Sequence, residues 1–197
     1  MIIIGTGGLA KDIVGSLARD YRHVDYHFYN DKSTEDLFVN RYKVLHNEEA
    51  VKDYFQSVDN RFNSAIANPL VRERMNNKFR EWGGVLTTLL ALHEHVSEFT
   101  QIAQGCIIQP DVVISSNVSV GEGTFFNCGT IIGHDAVIGK YVSFGPGSRV
   151  LGNAEIGDYS YIGCNSVILP GVKIGKKVRI GIGKIIDTDI PDNSKII

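Results

Sequence analysis

From Ile102 onward every sixth residue is large and apolar: Ile108, Ile114, Val120, Phe126, Ile132, Ile138, Phe144, Val150, Ile156, Ile162, Ile168, Ile174, Ile180 and Ile186. Val96 extends the phase one step back. The residue after each is often glycine, as at Gly121, Gly133, Gly139, Gly157 and Gly175, and the fourth residue after is small or β-branched, as at Val112, Thr124, Ala136, Ser148 and Ser160. A period of six fits neither a helix at 3.6 nor a plain strand at 2. It predicts a short strand and a tight corner, repeated. Three such units close a triangular coil of about 18 residues, and coils stack about 4.8 Å apart like neighbouring strands. Gly, Asn and Asp fill the corners because they tolerate φ > 0. Asn117, Gly123, Gly129, Asp135, Gly147, Asn153, Asn165 and Gly171 form such a column. The run from Ile102 amounts to about five coils of that length.

The N-terminal part has a different pattern. Ile2-Ile3-Ile4-Gly5 reads as a buried strand, followed by a glycine-rich turn into a helix with Ile13, Val14 and Leu17 on its apolar side. Val24–Tyr29 alternates like a second strand and ends at Asn30-Asp31-Lys32. Glu48–Val58 reads as a helix, Asn63–Ala67 as a third core strand, and Pro69–Trp82 as a helix opened by proline. Alternating strands and helices predict a small parallel sheet, so an α/β Rossmann-like domain over residues 1–85 precedes an all-β parallel β-helix over residues 86–197.

Composition narrows the function classes. The chain has 197 residues, 43% of them hydrophobic and 21% charged, the profile of a folded protein. A net charge of −2 gives no broad electrostatic reason to expect nucleic acid or an anionic membrane. Cys106, Cys128 and Cys164 have no paired spacing, which argues against a disulfide scaffold and a zinc ribbon. Cys128 and Cys164 share a column two coils apart, on the order of 9–10 Å, too far for a disulfide. Met1–Ile4 is too short for the apolar part of a signal peptide, and no run approaches the roughly 20 apolar residues that span a bilayer, so a cytoplasmic location is expected.

A few residues carry candidate chemistry. His134 is the only imidazole inside the hexads and lies two after the inward Ile132, so it is expected to point outward and could serve as a general base; the plain alternative is a solvated surface histidine. Asp135 is either a corner residue or the carboxylate that orients that imidazole. Gly152, one coil after His134 with its backbone roughly 5 Å from that of His134, is either a corner glycine or a backbone N–H donor to an oxyanion. Asn127 is explained by a left-handed corner, or contacts a substrate. The loop Gly5-Thr6-Gly7-Gly8 lacks the full G-x-G-x-x-G spacing, because Ala10 stands where the third glycine would be. It either packs strand tightly on helix or places a nucleotide phosphate at the helix N-terminus, with Asp31 and Lys32 near ribose or base. His93 and His95 read as a linker or lid edge.

The hexads resemble the hexapeptide-repeat left-handed β-helix, whose members are mostly trimeric acyltransferases. The order I-I-I-G-T-G-G-L-A-K, then N-D-K, then A-I-A-N-P-L-V-R, then I-I-G-H-D-A-V-I-G resembles more narrowly the bacterial nucleotide-sugar acetyltransferases that N-acetylate a 4-amino-4,6-dideoxy sugar. An O-acetyltransferase branch acting on sialic acid or another glycan shares the architecture. The resemblance implies acetyl-CoA as co-substrate, a homotrimer, a UDP- or dTDP-linked amino sugar as acceptor, a place in bacterial surface glycan synthesis, and no metal. It implies His134, Asp135 and Gly152 as the catalytic set. Gly7, Gly8, Leu9, Asn30, Asp31, Lys32, Asn68 and Asn127 are implied to face the acceptor, and Ser143, Gly145, Gly152, Gly163 and Asn165 the coenzyme. Leu9 stands where that family often has histidine, and Pro191–Ile197 replaces its usual Gly-x-Pro-Ala-Lys tail. A zinc hydratase on the same scaffold would need three histidines, and only His134 lies in the repeats. An ice-binding solenoid would show threonine ladders, which are absent from the hexads.

Overall fold

The structure, a computed structural model, describes residues 1–17, 24–91 and 94–197. It divides into two compact units, Met1–Thr87 and Thr88–Ile197.

The first unit is a six-stranded sheet with helices: β1 (Ile2–Ile4), α1 (Gly8–Leu17), β2 (His27–Tyr29), β3 (Leu37–Phe38), β4 (Tyr42–Leu45), α2 (Glu48–Ser57), β5 (Arg61–Ser64), α3 (Pro69–Glu81) and β6 (Val85–Leu86). The strand order is β3-β4-β2-β1-β5-β6, parallel throughout except for β3 against β4. β1 is central and buried along its length, as a parallel strand covered on both faces must be. Phe62, Phe79 and Trp82 pack with Tyr29, Phe55 and the β1 isoleucines into one core, with ring centroids 4.9–5.5 Å apart for Phe79 against Trp82 and Phe62. Asn47 caps α2 by accepting from the Ala50 N–H at 2.9 Å, and Asn68 caps α3 from the Leu70 and Val71 N–H groups. The chain leaves β1 toward β2 on one side and returns through α2 to β5 on the other. Such a reversal is the usual ligand position in open α/β sheets, and here a cavity lies beyond the carboxyl ends of β1 and β2, lined by Thr6, Lys11 and Ser33.

The pattern misjudged several boundaries here. The second strand is limited to His27–Tyr29. The third spans Arg61–Ser64, which leaves residues 65–68 as the loop that leads into α3. The β3–β4 hairpin and β6 were not expected. The hairpin turns on Val39 and Asn40, both left-handed at φ 47° and 53°, and the turn lacks the Asn-Gly or Asp-Gly signature that would have announced it.

The second unit is one triangular β-helix of three parallel sheets with seven, six and five strands, each of two residues. Its first strand is Leu89–Leu90, which adds most of a coil before the five counted from Ile102, and Leu90 and Val96 are in phase with Ile102. Successive coils pair 18 residues apart, as in Phe126↔Phe144 and Ile132↔Val150. Their amides run straight from coil to coil, for example Phe125 N–H to Val142 O at 2.9 Å. The sixth residues form one continuous buried core, with Phe126 and Phe144 stacked at 5.0 Å. The small column lies beside them, and most of its hydroxyls bond to backbone: Thr124 donates to Gly139 O at 2.9 Å and accepts from Val142 N–H, and Ser160 and Ser166 donate to Gly175 O and Gly181 O, whereas the buried Ser148 hydroxyl has no protein partner. After Ile186 the last coil shortens, so Lys195 pairs with Arg179 after 16 residues.

The two glycine-rich columns have different causes. Asn117, Asp135, Asn153 and Asn165 do lie at φ 54–61°, as does Gly129 at 67°. The glycines directly after the apolar residues do not need positive φ. They are required because coils touch there: a Cβ on Gly157 would lie 2.5 Å from the Gly175 carbonyl carbon.

Phe144→Ala should destabilise the β-helix by about 3–5 kcal/mol, because the rigid stack above and below closes poorly over the void. Urea denaturation followed by circular dichroism reads this directly; a loss below about 1 kcal/mol would contradict a close-packed column.

Candidate functional site

In the β-helix the corner between the second and third sheets stacks Ser115-Ser116-Asn117, Gly133-His134-Asp135 and Leu151-Gly152-Asn153 in register. Asp135 N–H donates to Ser116 O at 3.1 Å and Asn153 N–H to His134 O at 2.9 Å. His134 projects outward as expected, with 66% of its side chain exposed. Its Nδ1 lies 2.7 Å from Asp135 Oδ2. The other Asp135 oxygen accepts from Asn117 Nδ2, one coil below. The Asn117 hydrogen bond, then the one from His134, holds the Asp135 carboxyl below its usual range. An ionised carboxylate only accepts, so Nδ1 carries a hydrogen, and it is Nε2 that faces solvent and is the basic nitrogen of that tautomer.

The ring lies against Gly152: a Cβ there would stand 2.8 Å from His134 Nε2 and Cε1. This is the clearest reason for glycine at that position. Among the described residues no hydrogen bond engages the Gly152 amide.

Of the residues expected to meet the coenzyme, Gly152 shares the His134 corner, whereas Ser143, Gly145, Gly163 and Asn165 sit at or beside a different one, between the first and second sheets. Gly145 and Gly163 are the touching points of successive coils, where a Cβ on Gly145 would lie 2.7 Å from Cys164 N and one on Gly163 would strike the Gly181 carbonyl. Asn165 holds a left-handed turn at φ 54°. Ser143 is buried, 1% exposed, which counts against direct contact from this chain alone. Asn127 shares this corner, and its Oδ1 accepts from Cys128 N–H at 2.8 Å, a turn-forming role. These residues and His134 are half a hexad or more of chain apart on one prism, up to about 20 Å by strand rise. One chain does not bring them together. Cys106, Cys128 and Cys164 are free thiols.

Further along the coenzyme corner, Arg179, Lys184 and Lys195 surround Gly181, Ile182 and Ile197 at a cleft of about 510 Å³ with no acidic residue in its lining. Neither this cluster nor Asn117 was read from the sequence. For Asn117 the signal was present, since it stands 18 residues before Asp135.

In the first unit, Gly7 and Gly8 open α1 with clear space above them, and Gly5, at φ 106°, makes the turn possible. Asn30 ties the loops after β1 and β2: its Nδ2 donates to Thr6 Oγ1 at 2.7 Å and its Oδ1 accepts from Lys32 N–H at 3.0 Å. Asp31 and Lys32 are exposed beside it, and Leu9 is half-buried. Burial, then the Asp31 carboxylate, pushes the Tyr29 phenol up. Asn68 departs from expectation in that its Oδ1 is committed to the α3 cap. Thr6 and Lys11, not singled out before, line a cavity of about 240 Å³ with Ser33, Phe38 and Asn40 of the hairpin region. His93 lies outside the described residues, and His95 faces outward on the first coil. Among the described residues no cluster of three or more His, Cys, Asp or Glu is placed to hold a metal, and no helix is long and apolar enough to cross a membrane.

The profile of the bacterial transferase hexapeptide family, six repeats, matches residues 117–152 and 153–186. These residues are hexapeptide repeats of the bacterial transferase type. No curated protein matches the chain in sequence. Among solved structures, a variant of perosamine N-acetyltransferase from Caulobacter crescentus, in complex with CoA and GDP-perosamine, superposes with a TM-score of 0.91 at 24% identity, covering 98% of this chain and 91% of that one. The acetyltransferase domain of PglB from Neisseria gonorrhoeae, in complex with acetyl coenzyme A, gives 0.89 at 23% identity, with 98% and 93% covered. WeeI from Acinetobacter baumannii gives 0.90 at 25% identity, with 98% and 94% covered. The fold is therefore that of the left-handed β-helix acetyltransferases, joined to an N-terminal α/β unit.

Gly152→Ala should displace the imidazole without unfolding the protein. The exposed ring is the group free to move, and leaving the coil breaks its bond to Asp135. We expect a crystal structure of the variant with that bond broken and a melting temperature within about 2 °C of wild type, as for a surface change of no more than about 0.5 kcal/mol. A ring still seated on Asp135 would contradict the contact.

Proposed function

We propose that the protein is an acetyl-CoA-dependent N-acetyltransferase acting on the 4-amino group of a nucleotide-linked 4-amino-4,6-dideoxy sugar. The observation that carries this reading is the outward His134, held through Nδ1 by an ionised Asp135 with Nε2 facing solvent. The fold shared with perosamine N-acetyltransferase and the PglB acetyltransferase domain supports the reaction class.

In this mechanism His134 Nε2 takes a proton from the amine as its nitrogen attacks the thioester carbonyl. The Gly152 N–H stabilises the oxyanion. The tetrahedral intermediate collapses, the C–S bond breaks, and the imidazolium returns the proton to the leaving thiolate. Asp135 orients the ring and supports its charged form. Arg179, Lys184 and Lys195 suit the phosphates of coenzyme A. The acceptor's nucleotide is assigned to the α1 N-terminus at Gly7 and Gly8 and to the Asn30-Asp31-Lys32 loop, where backbone amides and Lys32 face an anion. A UDP or dTDP carrier and a role in surface glycan synthesis belong to the same proposal.

We infer further that the enzyme is a homotrimer. His134 and the Gly145–Gly163–Asn165 corner lie apart on one prism, so a site using both is completed by a neighbouring chain. Exposed apolar side chains at Ile182 and Ile185, 73% and 70% exposed, are consistent with a covered surface. Light scattering should give three times the chain mass of 21.7 kDa; a monomer at micromolar concentration would sink the two-chain site.

The reaction is tested by thiol release from acetyl-CoA with UDP-, dTDP- and GDP-linked 4-amino-4,6-dideoxy sugars, with free sialic acid as the O-acetylation control. His134→Ala should lower kcat by about 10²–10⁴. The wild-type rate should fall on the acid side as the imidazole protonates. Asp135, with its carboxyl held below the usual range, stays ionised through that limb and does not generate it. Near wild-type kcat in His134→Ala would reject the base, and turnover of sialic acid alone would reassign the acceptor.

A further inference from the structure

We propose that Asn117 is a positioning residue of the transfer site, its carboxamide fixing the Asp135 carboxylate in the orientation that holds the His134 imidazole. The inference rests on reading His134 as the base and adds a third member to its hydrogen-bond chain.

The chain is continuous across two coils. Asn117 Nδ2 donates to Asp135 Oδ1, and Asp135 Oδ2 takes the His134 Nδ1 hydrogen at 2.7 Å. The two carboxylate oxygens are thus divided between a donor below and the ring beside. Asp135 is 43% exposed, so little packing limits rotation of its side chain. Without Asn117 only water would hold the second oxygen, and the carboxylate plane could turn away from the ring.

The residue type is informative. Asn117 and Asp135 occupy the same left-handed column, at φ 59° and 58°. Gly, Asn and Asp all suit that backbone. Glycine would offer no donor, and aspartate would set a second carboxylate against the first. Asparagine is the member of that set that satisfies the turn and donates to a carboxylate.

The corner itself carries few other charges. Ser115 and Ser116 on the coil below, and Leu151, Gly152 and Asn153 on the coil above, carry no titratable side chain, and the flanking outward strand positions of the same coil are Ile131 and Val137. The charged groups on the flanking strands are Arg149 and Glu155 of the coil above, which pair with Ile131 and Val137 and are exposed. The next acidic group in the His134 column is Glu98, two coils below. The Asn117 hydrogen bond is the largest influence lowering the Asp135 carboxyl.

Two variants test this in the intact protein. Asn117→Gly keeps the left-handed corner and deletes the donor. Asn117→Asp keeps the shape and replaces the donor by a second acceptor. We expect Asn117→Gly to lower kcat about tenfold, the scale of one hydrogen bond to a charged group, with KM for acetyl-CoA and acceptor within about twofold. Asn117→Asp should move the acid limb of the pH–rate profile upward by about one pH unit, because an added carboxylate favours the imidazolium. If Asn117→Gly proves unstable, the Asn117→Asp profile decides. Wild-type kcat in the glycine variant, or an unmoved acid limb in the aspartate variant while His134→Ala is inactive, would overturn the role and leave Asn117 as a corner residue. Activity retained in His134→Ala would instead remove the base itself, and this proposal with it.

Discussion

The β-helix depends on the backbone approach of one coil to the next. The first residue of a strand and the residue after it donate to the coil above, as Phe125 and Asn127 do to Val142 and Phe144, and the glycines after the inward apolar residues let the corners close to contact. A side chain at Gly121, Gly157 or Gly163 would meet backbone atoms within 2.4–2.5 Å, so no conformational adjustment of a neighbour would make room. Once that spacing is set, inward residues must stack on inward residues, and the apolar column follows. The core is thus a one-dimensional stack in which each coil is supported mainly by its neighbours.

The same constraint builds the candidate site. Residues 18 apart stand about 4.8 Å from one another, a separation that short side chains can bridge by hydrogen bonding along the column. Asn117 and Asp135 use it for a carboxamide–carboxylate contact, and His134 and Gly152 use it for a ring lying on bare backbone. Corner side chains escape the packing demands of the interior. Chemistry can therefore be placed there without cost to the core. The left-handed column is permissive enough to hold even Tyr141 and Tyr159, at φ 53° and 61°, whose rings stack at 6.1 Å.

The N-terminal unit works by a different rule. There the loops after β1 and β2 and the β3–β4 hairpin enclose the cavity, and polar loop residues furnish it. Asn30 is committed to joining two loops and Asn68 to capping a helix, so the groups left facing outward are Asp31, Lys32, Lys11 and the open amides at Gly7 and Gly8. Buried Arg72 donates to the Ile66 and Ala67 carbonyls and fixes the loop on the far side of the switch point.

Periodicity by itself determined the β-helix, its coil length, its core column and the outward direction of His134, because a repeat of six leaves one way to bury the apolar set. It also placed Asp135 and Gly152 beside that histidine, since register within a regular helix is arithmetic. It did not reveal the first strand of the β-helix at Leu89–Leu90, nor the β3–β4 hairpin, whose left-handed Val39 defies local preference. Only the tertiary structure decided how Asp135 divides its two oxygens, that Gly152 is bare to seat the imidazole, that Ser143 is buried, and that Gly145, Gly163 and Asn165 stand at another corner. Those facts depend on side-chain direction and on which corner faces which. A linear pattern fixes spacing along the chain, whereas hydrogen bonding and burial are settled by what the folded neighbours leave open.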